Sequence, residues 1–268
     1  MYSVKIIADS ISPIDIRLTT FELTYPRIIH NELMTHRMFS RNSSSSRAIP
    51  NSKLREKITT DPVVPVYWGK NQKGMQADEE IKKEKILGAT QIWLGARDLM
   101  LEASEKLAEL GVHKQISNRL IEPWMYITVL VTATDYANWF KLRDSDKAQP
   151  EIAKLARMMR FEYKLNKPIR VEFGYWHLPY ISNEERDKIK IGHLLLVSVA
   201  RCARVSTLTH DNIYDIDRDI KLAQMLKSEG HWSPFEHQAY AKDTTDYIGN
   251  FRGWLQFRKF HLEEYVNE

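Results

Sequence analysis

The stretch "THRMFSRNSSSSRAIP", residues 35–50, sets four consecutive serines, Ser43 to Ser46, between the pair His36-Arg37 and Arg47. A serine run suits a solvated loop. It equally suits a cradle for a phosphorylated ligand, because guanidinium groups bind phosphate through paired, charge-assisted hydrogen bonds and hydroxyls with backbone amides complete an anion site. Composition alone leaves both readings open.

Upstream, residues 2–9 ("YSVKIIAD") and 16–25 ("IRLTTFELTY") are rich in β-branched and aromatic residues and read as two strands. Pro26 suits a first helical turn, and "RIIHNELMTHRMF" continues without a breaker, which predicts a helix with His36 and Arg37 near its end. The serines follow as a loop closed by Pro50. Residues 61–77, "DPVVPVYWGKNQKGMQA", read as an ordered excursion over the surface; its "WGKNQKGMQA" suits a loop near a ligand or a plain turn.

A long helix is predicted over about 79–110, stopped at Gly111. Its apolar residues Ile86, Leu87, Ile92, Leu94, Leu99, Leu101, Leu107 and Leu110 form a broad stripe that reads as core. Asp135 is placed to cap a helix starting there, and Pro150 opens another through residue 165. Further helices are predicted near 193–204 and 215–229, then a short strand at "HQAYA" and a final helix from about 250, in which Trp254 reads as core.

The chain has 268 residues, 43% apolar and 28% charged, ordinary values for a globular protein able to bury a core. The net charge of +4 favours an anionic ligand but falls short of a nucleic-acid-binding signature. No leader segment and no bilayer-spanning apolar run is evident, and the single cysteine, Cys202, excludes an internal disulfide. The expectation is a cytoplasmic protein. Rossmann, P-loop, nucleophile-elbow and zinc-histidine spacings are all absent, and Cys202 in "VARCARVS" reads as a small buried hydrophobe.

Four motifs together resemble the flavin-dependent thymidylate synthases. The first is His36-Arg37, seven residues, then Ser45, with Ser40, Asn42 and Arg47 also in phase. The second is "NRLIEP" (118–123) with "NWFKLRDSDKAQPEI" (138–152). The third and fourth are "RCARVS" (201–206) and "GHWSPFEH" (230–237). The last two usually precede the signature and here follow it, so the chain resembles a permuted member, a single domain over 1–268 with blocks at 16–50, 115–165 and 193–242.

The resemblance implies an α+β fold with helices packed around an antiparallel sheet, a homotetramer, and reductive methylation of dUMP to dTMP. Methylenetetrahydrofolate would be the carbon donor, FAD the hydride carrier and NADPH the reductant. It implies that Arg143 polarises the pyrimidine, and that Glu32, Ser43, Ser44, Ser45, Arg47 and Arg119 bind the nucleotide. His36, Arg37, Asn138, Ser206, His231, Ser233 and Glu236 would surround the flavin and the folate entrance. No metal is implied. Such a route needs no thiolate, in keeping with the lone Cys202.

The chain departs from the family pattern where Thr35 and Thr134 replace arginines, Glu32 replaces a glutamine and Ser43 a glutamate. A carboxylate only accepts hydrogen bonds, whereas an amide also donates. Alternatives are therefore a related enzyme, hydroxymethylating or acting on dCMP, and a nucleotide-binding module without flavin chemistry.

Overall fold

The computed structural model describes residues 1–205 and 215–261. Strands β1 (Ser3–Ile11) and β2 (Arg17–Pro26) fall where their β-branched composition predicts. The expected helix after Pro26 is shorter than predicted: one 3₁₀ turn, Arg27–Ile29, leads into α1 (His30–Met34), and residues beyond Thr35 turn away. The serine run is not all loop. Its start lies on β3 (Ser40–Ser43), and Ser46–Ala48 form a 3₁₀ turn.

Next come α2 (Asn51–Thr60), α3 (Lys83–Glu109) and α4 (Lys114–Ser117). They are followed by β4 (Tyr126–Ala133), a strand not predicted from the sequence. Then come α5 (Ala137–Arg143), α6 (Pro150–Leu165), β5 (Ile169–Arg170), β6 (Trp176–His177), α7 (Asn183–Lys188), α8 (Ile191–Ala203) and α9 (Ile216–Ser228). Asp135 does not cap α5; its carboxylate accepts from Thr134 and Tyr247 instead. β7 (Ala239–Ala241) falls on the strand predicted at "HQAYA", β8 (Tyr247–Ile248) follows it, and the helix predicted from about 250 is replaced by the short strands β9 (Phe251–Arg252) and β10 (Trp254–Gln256) and a 3₁₀ turn, Phe257–Phe260.

The main sheet has the order β3-β4-β2-β1-β5, antiparallel except for the short β1–β5 pair. β2 and β4 are central and buried on both faces. One face carries Phe21, Leu23, Val129 and Val131 against Trp139 of α5 and Ile152, Leu155 and Met159 of α6. The other face is covered by the C-terminal third, where Leu130 meets Cys202 and Val205, and Leu18 meets Ala239, Phe251 and Trp254. The architecture is α+β, as expected, and Cys202 is buried with its thiol pushed upward by burial.

A buried polar chain fastens this second face. Ser10 Oγ lies 3.0 Å from His177 Nδ1, and His177 Nε2 lies 2.8 Å from Thr20 Oγ1. Thr20 shares a 2.8 Å hydrogen bond with Thr132, which meets His237 Nδ1 at 2.8 Å. Burial first lowers both histidines to about 3, so both are neutral at pH 7. Unfolding restores ordinary affinity, near 6.5, so between those values the unfolded chain binds the extra protons and stability falls as pH falls. The two together are expected to contribute up to about 2.7 kcal/mol per pH unit. Urea midpoints measured from pH 7.5 to 5 check this, and replacing either histidine with asparagine should flatten the slope.

The apolar stripe of α3 is not core. Trp93, Met100 and Leu101 pack toward Leu54, Ile121 and Trp124, but only Ser104 of the helix is buried. Ile86, Leu94 and Leu107 are half-buried, and Leu87, Ile92, Leu99 and Leu110 are exposed. At the other end of the chain, Gly253 has φ +68°, and a Cβ there would lie 2.6 Å from Ile16 Cδ1 and 2.9 Å from Thr244 O. Gly253→Ala is expected to cost about 1–3 kcal/mol, through overpacking and left-handed strain, read as a lower denaturation midpoint.

Candidate active site

Glu32, on α1, and His36, just beyond it, meet Arg143 at the end of α5. Arg143 donates from Nε to His36 Nε2 at 3.0 Å and from Nη1 to a Glu32 carboxylate oxygen at 3.1 Å. Its Nη2 has no partner among the described residues. Burial, then the positive charges of Arg143 and Arg41, lower His36 to about 4. The imidazole is therefore neutral at pH 7, and by accepting at Nε2 it must carry its proton on Nδ1. His36 is held from behind by Phe39, with its ring stacked at 5.8 Å, and by Trp139, edge-on at 4.7 Å.

Arg143 and Glu32 open into a cleft of about 610 Å³, ample for a mononucleotide. Its far wall is the excursion "WGKNQKGMQA", a small hairpin in which Ile81 N donates to Trp68 O at 2.8 Å and Lys70 N to Glu79 O at 2.7 Å. Trp68, Met75 and Gln76 of this segment line the cleft, with the preceding Tyr67 and Trp93 of α3. Gln76 ties the hairpin across the cleft to the Lys147 carbonyl.

Ile28 also lines a second groove of about 420 Å³, bounded by Arg27, His30, Arg119 and Glu122. There Glu122 gathers three donors: Ser46 Oγ at 2.6 Å, Arg119 Nη1 at 2.9 Å and Arg27 Nε at 3.1 Å. Arg27 was not anticipated from the sequence, although the Pro26-Arg27 step before α1 was its only signal. The serines divide in two. Ser44 is buried and its hydroxyl accepts from Thr128 N, and Ser46 is held by Glu122. Ser43 and Ser45 are exposed, and Ser45 Oγ accepts from Arg47 N at 3.3 Å.

The other expected residues lie apart. Ser233 Oγ donates to Asn42 Oδ1 at 3.2 Å, and Asn42 Nδ2 donates to Cys202 O at 2.7 Å, so β3 is joined to the C-terminal third. Glu236 is ion-paired with Arg258. His231 is exposed and lies 3.4 Å from the Glu229 carboxylate. Ser206 lies outside the described residues. No group of residues suited to a metal ion occurs among the described residues, and no described helix is long and apolar enough to cross a membrane.

A flavin dinucleotide needs cations for its pyrophosphate and hydrogen-bonding groups for its ring. Arg37 is exposed and its guanidinium has no partner among the described residues, and the Asn138 amide is also exposed, on the same helix as Arg143. These groups fit such a ligand. Thr134 contributes nothing to it: it is buried, donates to Asp135 and accepts from Arg252 N.

Residues 7–169, more than half of the chain, match the family model described as thymidylate synthase complementing protein. The chain belongs to this family. The family segment runs from β1 to β5 and holds Glu32, His36 and Arg143, while Ser233 and Glu236 lie beyond it. Two solved structures of a UMP/dUMP methylase, PolB from Streptomyces cacaoi, are similar to the chain. The one bound with 5-Br dUMP has 16% identity and TM-score 0.50, covering 61% of this chain and 90% of that one. The one bound with 5-Br UMP has 15% identity and TM-score 0.49, covering 61% and 88%. No curated protein matches the chain.

Proposed function

We propose that the chain is a pyrimidine-nucleotide methylase, converting dUMP to dTMP with methylenetetrahydrofolate, FAD and NADPH. The observation that carries this reading is the Glu32–Arg143–His36 cluster at the mouth of the large cleft, within a chain of this family. Arg143 is oriented by two fixed partners and keeps Nη2 for a pyrimidine carbonyl, where positive charge favours loss of the ring N3 proton. His36, neutral and accepting, aligns the guanidinium. Ser43, Ser45 and Arg47 would hold the phosphate with Arg119, while Ser44 and Ser46 brace the turn.

The flavin, when bound near His36, Arg37 and Asn138, supplies the hydride equivalents. Ser206, His231, Ser233 and Glu236 would complete the flavin and folate side. We further propose one domain over 1–268, a homotetramer and a cytoplasmic location.

A second reading is favoured by the Glu32 carboxylate. Beside Arg143 it adds an acceptor, which suits the exocyclic amine of a cytosine ring as well as the N3–H of uracil. The test is product mass after incubation with FAD, NADPH and methylenetetrahydrofolate, with dUMP and dCMP offered together. A methyl group gained by dUMP supports the first reading. A hydroxymethyl group or modified dCMP replaces it with the second. No modified nucleotide, with no flavin retained, leaves a nucleotide-binding module and defeats both.

A further inference from the structure

The serine turn is tied to the rest of the chain by its carbonyls. Asn118, fully buried, donates from Nδ2 to Ser46 O at 2.8 Å and to Ile49 O at 3.0 Å. Its Oδ1 accepts from Asn51 Nδ2 at 2.8 Å, so its partners fix which way the amide points. Ala48 O accepts from Lys114 Nζ at 3.1 Å, and Ser45 O from Ala48 N at 3.0 Å. The carbonyl oxygens of residues 45, 46, 48 and 49 are thus all engaged by donors of the chain itself.

Behind Asn118 stands a small polar network. Asn51 Nδ2 also donates to Ser104 Oγ at 2.8 Å, and Ser104 Oγ donates to Ser117 O at 2.8 Å. Ser104 and Ser117 are fully buried. A polar cluster costs more to bury than an apolar one of the same shape, and once satisfied it specifies one geometry. Here the geometry specified is that of the turn, because both hydrogens of the Asn118 amide end on it.

The same segment carries the other half of the cradle. Arg119 follows Asn118, and Glu122, in the same 3₁₀ stretch, accepts from Arg119 Nη1 at 2.9 Å and from Ser46 Oγ at 2.6 Å. Residues 118–122 therefore grip Ser46 at its carbonyl and at its hydroxyl. With those carbonyls engaged, Ser45 and Arg47 stand exposed, and the Arg47 guanidinium has no partner among the described residues. An anion there meets donors without opposing carbonyl dipoles.

We propose that Asn118 is the positioning residue of the phosphate cradle, holding the Ser45–Arg47 turn and Arg119 at one separation so that both meet the same phosphate. The inference rests on the reading that Ser45, Arg47 and Arg119 hold a nucleotide phosphate. Asn118 itself touches no ligand and acts through the turn.

Equilibrium dialysis with dUMP and with deoxyuridine, which lacks the phosphate, tests it. The unaltered chain should bind dUMP far more tightly than deoxyuridine. Asn118→Asp keeps the size of the side chain and loses both donors. Asn118→Ser is too short to span two carbonyls and adds no charge, so the measurement survives if the aspartate variant does not fold. Each should weaken dUMP binding by about 10–100-fold, the usual loss when a partner standing behind a binding group is removed. Deoxyuridine binding should not change, and KM for dUMP should rise with a much smaller change in kcat. Ser104→Ala, in the same network but without a bond to the turn, should lower the urea midpoint and keep the ratio of the two affinities.

An undiminished ratio in the Asn118 variants, or an equal loss of dUMP and deoxyuridine, would overturn the proposal while leaving the phosphate site in place. So would a fall of the ratio in Ser104→Ala as large as in Asn118→Ser, which is the mark of general support to the fold. An unaltered chain that binds the two ligands alike would remove the phosphate assignment, and the proposal with it.

Discussion

Arg143→Ala is expected to lower kcat/KM for nucleotide methylation by about 10²–10³, the usual loss when a preorganised donor to a developing negative charge is removed. The fold should be unaffected. The side chain is 22% exposed and its ion-pair partner Glu32 is 34% exposed, so the lost pair is worth well under about 1 kcal/mol to stability. A second readout separates a role at the cleft from a general disturbance. Arg143 is among the charges that hold His36 low, so the histidine should titrate at higher pH in the variant, visible in its ring-proton shifts. Nucleotide binding through the phosphate should largely persist. Unchanged turnover with an intact fold would remove Arg143, and with it the cleft, from the reaction.

The largest expected effect on stability belongs to Arg201→Ala. This arginine is 1% exposed, within "RCARVS", and each of its three side-chain nitrogens donates a hydrogen bond. Its Nε donates to Asp219 at 3.1 Å, its Nη1 to the Tyr180 carbonyl at 2.7 Å and to Glu185 at 3.0 Å, and its Nη2 to Glu185 at 2.6 Å. Asp219 is fully buried and also pairs with Arg204. Removing Arg201 leaves carboxylate charge in a dry setting, which costs about 3–5 kcal/mol when one partner of a buried pair is lost. Denaturant titration should show this loss. Adding Asp219→Ala to the variant should cost much less than Asp219→Ala alone, because the two share one interaction. Additive costs would show that the pair is not coupled.

The sequence was most legible where a local rule had no competitor. Runs rich in β-branched residues marked β1 and β2, Pro150 opened α6 and Gly230 closed α9. The signature motif and the second block together brought Glu32, His36 and Arg143 onto one short list before any coordinates. Tertiary context overrode local pattern elsewhere. "GNFRGWLQF" has helical spacing of its aromatics, but Gly253 turns left-handed against Ile16 and makes strands. The residues of β4, mostly apolar with Thr128 and Thr132 among them, carry no clear period because both faces are buried.

The α3 stripe misled in a different way. Its apolar residues run round much of its girth, so the pattern alone does not say that Trp93, Met100 and Leu101 are the ones that pack on the rest of the chain. In the candidate site, the serines also divided unpredictably. Which hydroxyl faces solvent depends on Thr128 and Glu122, each about eighty residues distant. The hairpin over the cleft was recognisable as an ordered excursion, but its position opposite Arg143 rests on Gln76 reaching Lys147, a contact with no sequence signature.

The cover on the second face of the sheet has a consequence for synthesis. Ile16 accepts from the Trp254 indole, 238 residues later, and Asn42 waits for Ser233, 191 residues later. At ribosomal rates of about 5–20 residues per second, the interval between Ile16 and Trp254 is roughly 12–48 s. For much of it the second face of β1 and β2 lacks its full cover, which His177 begins and Trp254 completes, and contacts of such long range also form slowly once available. The emerging chain therefore passes through a period in which chaperones, dilution and temperature decide its yield, long before the stability of the finished fold has any bearing.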